Sequence, residues 1–329
     1  MTVLACDLGG TRTKLGIVRD GQVLAQSIVS SNSNQGLASL LPLLKTEWLR
    51  LLKQFDLRPS DCYGVGVSFP SLIDYTNGRI LDAYGKFDDA MAIDLRAWSR
   101  AELGLPLAIE NDARMACIGE WQHGAGKGSK NLVMVTLGTG LGTSVIMEGR
   151  VLRGVHGQAG VLGGHLTLRY GGRACACGNT GCAEAEASSF SLAHLASTHS
   201  GFVNSPLANN PQIDYASLFR YAAAGDACAM ALRDHNLLVW SSLAVSLIHS
   251  YDPELLIFGG GIMASADVIL PALRDYVRRH AHTPWGQVRV ETSALGDQAA
   301  LVAAEWLLKE QSGEVAPQTQ DIKAQEEKI

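Results

Sequence analysis

Two stretches of the chain repeat one pattern: an apolar run, a glycine-rich turn and a second apolar run. Ala5-Cys6-Asp7-Leu8-Gly9-Gly10-Thr11-Arg12-Thr13-Lys14-Leu15-Gly16-Ile17-Val18 lies on Met134-Val135-Thr136-Leu137-Gly138-Thr139-Gly140-Leu141-Gly142-Thr143-Ser144-Val145-Ile146-Met147 without a gap. Each reads as a β-hairpin whose turn uses backbone conformations that glycine adopts readily, and their likeness predicts a duplicated chain. Between the hairpins, Leu37, Leu40, Leu41, Leu44, Trp48, Leu51, Leu52 and Phe55 recur at helical spacing. Residues 63–69 follow as an apolar strand, 98–103 as a helix and 107–109 as the next strand. Beyond the second hairpin come a helix over 232–251, a strand over 255–258, a helix over 268–279, a strand over 288–290 and a last helix over about 298–308. This alternation predicts an α/β fold.

Length divides that fold in two. At 329 residues the chain exceeds the size at which a single core keeps growing, so two lobes are expected. Residues 1–113 form the smaller lobe, completed by the last helix at about 298–311, and residues 114–297 form the larger. Residues 312–329 are polar, with Pro317 and the run Lys323-Ala324-Gln325-Glu326-Glu327-Lys328, and read as a disordered tail.

Composition removes several function classes. A net charge of -5 with no basic run leaves no footprint for a nucleic-acid backbone. No segment has the uninterrupted apolar length of a membrane span. Met1-Thr2-Val3-Leu4-Ala5-Cys6-Asp7 lacks a basic region ahead of an apolar one, so no secretion signal is expected and the cytoplasm is the expected compartment. Of seven cysteines, Cys6, Cys62, Cys117 and Cys228 are scattered through apolar stretches and read as small core residues.

The remaining chemistry gathers at four places. Glycine turns free backbone N–H groups to converge on phosphate oxygens, and a nucleoside triphosphate held between two lobes needs such a cradle from each. Asp7, at the end of the first strand, is placed to hold Mg²⁺ directly or through water, or to cap the turn. Glu110-Asn111-Asp112 follows a strand, at the edge where α/β sheets bind ligands. There Asp112 reads either as the N-cap of a helix over 113–121 or as a base taking a hydroxyl proton during phosphoryl transfer. His165, Cys175, Cys177 and Cys182, set among Gly171, Gly172, Gly178 and Gly181, suit a tetrahedral Zn²⁺. Four protein ligands make such a site structural, and a Cys-x-Cys redox pair is the competing reading.

These residues resemble the ROK family of bacterial sugar kinases and repressors. Cys175-Ala176-Cys177-Gly178-Asn179-Thr180-Gly181-Cys182-Ala183-Glu184 matches the family signature C-x-C-G-x-x-G-C-x-E throughout. Asp7-Leu8-Gly9-Gly10-Thr11 and Leu137-Gly138-Thr139-Gly140-Leu141-Gly142 look like its two phosphate motifs, and Phe258-Gly259-Gly260-Gly261-Ile262 like its adenosine-side turn. Gly66-Val67-Ser68-Phe69-Pro70 is similar to its strand beside the sugar cleft. The resemblance implies two ribonuclease H-like, actin-like ATPase lobes with an interlobe cleft and a small structural zinc loop. It implies ATP with Mg²⁺, a structural Zn²⁺, a hexose or N-acetylhexosamine phosphorylated at its 6-hydroxyl, and a homodimer or homotetramer. By the same resemblance Asp112 is the base, Asn111, Asp112, His165 and Glu184 contact the sugar, and Asp7, Gly9, Gly10, Thr11, Gly138, Thr139, Gly140, Gly259, Gly260 and Gly261 bind the nucleotide.

Two segments depart from the family. Leu162-Gly163-Gly164-His165 stands where it reads Glu-x-Gly-His, and leucine cannot accept a hydrogen bond from the sugar. A buried hydroxyl without its partner costs about 1–3 kcal/mol, enough to change sugar preference. Tyr84-Gly85-Lys86-Phe87-Asp88-Asp89 replaces a stretch like Asn-Leu-Pro-Gly-Trp that lines the same cleft. These departures leave open a sugar-binding regulator with weak or no turnover. Six residues precede Asp7, so no DNA-binding helix-turn-helix is expected. Phosphate loops do not read a base, so an acyl phosphate or polyphosphate also stands as a donor, although Gly259, Gly260 and Gly261 favour a nucleoside.

Overall fold

A computed structural model describes residues 1–82 and 85–315. Its first sheet grows from the first hairpin: β1 (Thr2–Leu8), β2 (Arg12–Arg19) and β3 (Gln22–Ser30) pair antiparallel. α1 (Leu37–Lys53) then crosses over to β4 (Val65–Phe69), which pairs parallel with β1. The expected apolar stripe of α1 is buried from Leu37 to Leu52, whereas Phe55 lies past the helix and is exposed. Trp48 from this stripe donates its indole N–H to the Ala5 carbonyl, which fixes the helix across the strand. A short ribbon of β5 (Ile73–Asp74) and β6 (Arg79–Ile80), then α2 (Leu95–Leu103), lead to β7 (Leu107–Asn111), parallel to β4. The order is β3-β2-β1-β4-β7.

After α3 (Asp112–His123) the chain repeats itself. β8 (Leu132–Leu137), β9 (Leu141–Met147) and β10 (Arg150–Val151) are antiparallel. Four helices follow, α4 (Ala183–Ala187), α5 (Ser189–Ser197), α6 (Tyr215–Ala223) and the long α7 (Ala227–Tyr251). β11 (Leu255–Gly259) pairs parallel with β8, α8 (Ala266–His280) crosses over, and β12 (Arg289–Thr292) pairs parallel with β11. The order β10-β9-β8-β11-β12 reproduces that of the first sheet, so the duplication read from two glycine turns extends to the whole topology. The mixed α/β fold is as expected.

Its register corrects the alignment. Four residues, Gly9 to Arg12, separate the last partners Leu8 and Thr13 of the first hairpin, whereas three, Gly138 to Gly140, separate Leu137 and Leu141. A gapless match therefore slips by one residue in each returning strand, and a one-residue slip exchanges the faces of a strand.

The two sheets meet through α3 and the last helix, α9 (Ala299–Ser312). α9 packs on β1, β2, β4 and β7, while α3 packs on α9 and also reaches β8 and β9. Small residues allow the approach. A Cβ on Gly119 of α3 would lie 2.0 Å from the Ala299 carbonyl oxygen, and one on Gly66 of β4 would lie 2.5 Å from the Ala304 Cβ. Ser312 is the last residue of α9 and Gly313 turns left-handed, while residues 316–329 of the expected tail lie outside those described. No helix among the described residues is long and apolar enough to cross a membrane.

Candidate active site

Parallel strands β1, β4 and β7 end side by side, which brings Asp7, Ser68 and Glu110 into one row by register. Ser68, fully buried, donates to Asp7 Oδ1 at 2.7 Å and fixes the carboxylate. Across the hairpin, Lys14 Nζ stands 3.7 Å from Asp7 Oδ2 and 3.1 Å from the exposed Asp297.

Strand β7 runs two residues further than the apolar pattern suggests, and this changes the roles of the three polar residues that follow it. Glu110 lies wholly inside the protein, where it accepts from Arg114 at 3.2 Å and from Arg153 at 2.7 Å. Arg153 also forks onto Glu310 of α9 at 3.0 and 2.6 Å, and its guanidinium lies 3.9 Å from the centre of the Tyr75 ring. Glu110 is thus committed to a buried ion-pair network rather than to a ligand. The helix cap is Asn111, not Asp112: Asn111 Oδ1 accepts from the Arg114 amide at 3.2 Å, and its Nδ2 donates to the Ser71 carbonyl and to Asp112 Oδ1, both at 3.0 Å.

Released from capping, Asp112 is the first residue of α3. Its Oδ1 accepts from the Ala113 amide at 2.8 Å, while among the described residues Oδ2 accepts no hydrogen bond. Surrounding protein, then the charge of Asp7, push its carboxyl up to about 6, against the Ala113 amide and Lys86, which pull it down. The second hairpin packs against the residue that follows Asp112, since a Cβ on Gly142 would meet the Cβ of Ala113 at 3.1 Å. Lys86 comes over the first loop, its aliphatic stem 3.2 Å from where a Gly10 Cβ would sit.

Both loops leave amides free. Gly9 N–H is taken by the Arg12 carbonyl and Gly138 N–H by the Gly140 carbonyl, each within its own turn. Those of Gly10, Thr11, Thr139 and Gly140 donate to no acceptor among the described residues, as a phosphate cradle requires. The second loop is held from behind: Ser189 and Phe190 amides donate to the Gly138 and Thr139 carbonyls, and Glu184 Oε2 accepts from Leu141 N at 2.9 Å. Glu184 therefore braces the loop with one carboxylate oxygen. Gly260, at φ 90°, passes so close to Leu137 that a Cβ would lie 2.3 Å from its carbonyl oxygen, which places the third glycine turn beside the second.

His165, Cys175, Cys177 and Cys182 present ligand atoms all within 4.8 Å of one another. His165 Nδ1 is 3.5 Å from Cys175 Sγ, and Cys177 Sγ is 3.7 Å from Cys182 Sγ. A tetrahedral Zn²⁺ with ordinary bond lengths would set nitrogen–sulfur and sulfur–sulfur edges of about 3.6 and 3.8 Å, so the donor set fits that ion. The loop is shaped to present them: Cys175 N donates to the Asn179 carbonyl at 2.8 Å and Asn179 Nδ2 to Cys182 Sγ at 3.4 Å. Cys182 caps α4, which carries Glu184, and a Cβ on Gly164, next to His165, would lie 2.0 Å from the Leu141 carbonyl oxygen. The cluster is thereby built onto the second loop.

The geometry joins Asp7, Asp112 and both loops, and joins Glu184 and His165 to the second loop. Sequence reasoning did not find the contact of Ser68 with Asp7, the seat of Lys86 over Gly10, or the network of Glu110, Arg114, Arg153 and Glu310. A carboxylate and an arginine four residues apart, Glu110 and Arg114, were the available signal for the network. Tyr84, in the segment that departs from the family pattern, lies outside the described residues.

The model of the ROK family matches residues 3–311. A glucokinase of Thermotoga maritima is 30% identical over 323 residues, covering 95% of this chain and 99% of its own. The crystal structure of a ROK hexokinase from Thermus thermophilus superposes with a TM-score of 0.78 at 29% identity, covering 95% of this chain and all of the other. A ROK family glucokinase from Streptomyces griseus, solved with glucose and AMPPNP, gives a TM-score of 0.74 at 25% identity over 93% of this chain and 99% of its own.

Proposed function

Because this chain belongs to the ROK family, we propose that it is an ATP-dependent sugar kinase that phosphorylates a hexose or N-acetylhexosamine, at the 6-hydroxyl, with Asp112 as the base. One observation carries this reading: two glycine hairpins, each with two amides that donate to no acceptor among the described residues, flank Asp112, the first through the charge of Asp7 and the second through Gly142 against Ala113, and Asp112 Oδ2 accepts no hydrogen bond among those residues. The lobes are residues 1–113 with α9 and residues 114–297, and the sugar and ATP lie in the cleft between them.

In this reading the loops cradle the phosphates, and the turn at Gly259, Gly260 and Gly261 takes the adenosine side. The sugar hydroxyl gives its proton to Asp112 Oδ2 as its oxygen bonds to the γ-phosphorus, and the bond to the β-phosphate breaks with its electrons leaving on ADP. With its carboxyl at about 6, Asp112 is ionised at neutral pH yet basic enough to draw that proton. Asp7, oriented by Ser68, would hold Mg²⁺ directly or through water, and the ion supplies charge neutralisation to the phosphates when bound. His165 and the three cysteines would hold a structural Zn²⁺. Asn111, Glu184 and His165 are the proposed sugar contacts beside Asp112.

Incubation with Mg²⁺-ATP and a panel of hexoses and N-acetylhexosamines should release ADP with at least one of them, and no release above background with any sugar would refute the kinase. A second reading, a sugar binder without turnover, is favoured by the apolar side chain of Leu162. Sugar binding by calorimetry in the absence of any ADP release would select it.

A further inference from the structure

One of the two segments that depart from the family pattern brings a lysine to the first glycine loop. Phe87 is buried completely at φ 55°, a conformation that a bulky side chain rarely adopts. It is held there by several contacts: its ring lies 5.8 Å from that of Phe69 at the end of β4, its amide donates to the Ser33 carbonyl at 3.1 Å, and its carbonyl accepts from Ala90 at 2.8 Å. Two residues on, Asp89 accepts from the amides of Leu37 and Ala38 and supplies the cap that Gly36 lacks. Strain sustained by this many contacts commonly serves to aim a neighbour. The neighbour is Lys86, whose Cδ and Cε lie 3.2 and 3.3 Å from where a Gly10 Cβ would stand.

Lys86 is half-buried, and its ammonium makes no hydrogen bond or ion pair among the described residues. Lys14, the other lysine at this loop, is committed to Asp7 and Asp297. The Lys86 charge also reaches Asp112, whose carboxyl it pulls down. A cation with no partner among the described residues, beside a loop with free amides and within electrostatic reach of Asp112, suits an anionic phosphoryl group passing between them.

We infer that Lys86 is a catalytic residue that pairs with the transferring γ-phosphoryl group between the first glycine loop and Asp112, an inference that rests on the kinase reading. It takes no part in the proton transfer. The proton from the sugar goes to Asp112 and the leaving electrons to ADP, while Lys86 neutralises charge on the equatorial phosphoryl oxygens.

Lys86→Met keeps the stem and removes the charge, and Lys86→Arg restores a cation. With the full chain, Lys86→Met should lower kcat about 100-fold, as loss of one preorganised donor does, with sugar affinity unchanged by calorimetry and partial recovery in Lys86→Arg. Affinity for a non-hydrolysable ATP analogue should fall about tenfold while ADP affinity stays within about twofold, the size of one charge-assisted contact to the third phosphate. The charged groups that act on Asp112 are Asp7 from β1 and Lys86, so loss of the lysine should also move the acid limb of the rate profile to higher pH. Unchanged kcat, or weakened sugar binding with no change in the preference for triphosphate, overturns the role of Lys86 while leaving the kinase standing. If the unaltered protein turns over no sugar, the kinase reading fails by itself. The comparison of ATP analogue with ADP then decides Lys86 alone, and equal losses for the two nucleotides overturn it.

Discussion

Asp112 sits where one residue of offset separates a structural role from a chemical one. Asn111 takes the cap, so Asp112 Oδ2 accepts no hydrogen bond among the described residues and is open to the proposed role. Its raised carboxyl sets two opposite pH effects. In the proposed reaction the base works in its ionised form, so kcat/KM should fall tenfold per unit as pH drops below about 6. Stability runs the other way: the fold holds the proton more tightly than the unfolded chain, whose carboxyl lies near 3.8, so the ionised carboxylate opposes folding above about 6 and ceases to below 3.8. Asp112→Asn should therefore lower kcat by about 10²- to 10⁴-fold. The same change should raise the melting temperature by about 2–4 °C at pH 8, with the gain gone by about pH 4. A variant with full turnover, or one less stable at pH 8, contradicts the assignment. The sequence pointed to this position but not to its neighbours' duties, because the partners of Glu110 are 43 residues away at Arg153 and, through it, a further 157 at Glu310.

Among the elements, the cysteine loop was the most legible, since its three cysteines fall within eight residues and the chain between them is rich in glycine. What spacing could not tell is where the loop leads. Cys182 is the N-cap of α4, and α4 carries Glu184 to the amide of Leu141, so the histidine–cysteine cluster supports the second glycine loop from behind. Cys177→Ser should take zinc from about one ion per chain to near none, because structural zinc and loop folding are one equilibrium. kcat/KM should fall about tenfold as Glu184 loses its seat, in line with the effect of slackened support around a metal site. Elemental analysis and turnover of one preparation check both, and metal-free protein with undiminished activity sinks the connection. Helices α5 and α6 went unread: both are short and start at serine and aspartate caps, although Tyr215, Leu218, Phe219 and Ala222 of α6 do fall at helical spacing.

Across the whole molecule, duplication was readable from two glycine turns, and the strand order bears it out in full. The junction was not readable, because it depends on alanines and glycines that have no pattern of their own. α3 and α9 cross where Gly119 leaves no room for a side chain against the Ala299 backbone. Gly119→Val should cost about 1–3 kcal/mol, the penalty of overpacking, and more if the backbone there cannot yield. Because this crossing sets one sheet against the other, the variant should also lose kcat/KM while zinc content stays whole. Urea unfolding with parallel metal and rate measurements tests the pair of effects, and a variant as stable and active as the parent would mean that the helices can separate without consequence.

The position of α9 bears on how the protein is made. The face formed by Val3, Ala5 and Ala108 is covered by a helix that begins at Ala299, about 190 residues after β7 ends. At ribosomal speeds of roughly 5–20 residues per second, the first sheet waits about 10–40 s for its cover. Through that interval an apolar surface built early stands open to the cell, and a ribosome that stalls before codon 299 releases a half that cannot close.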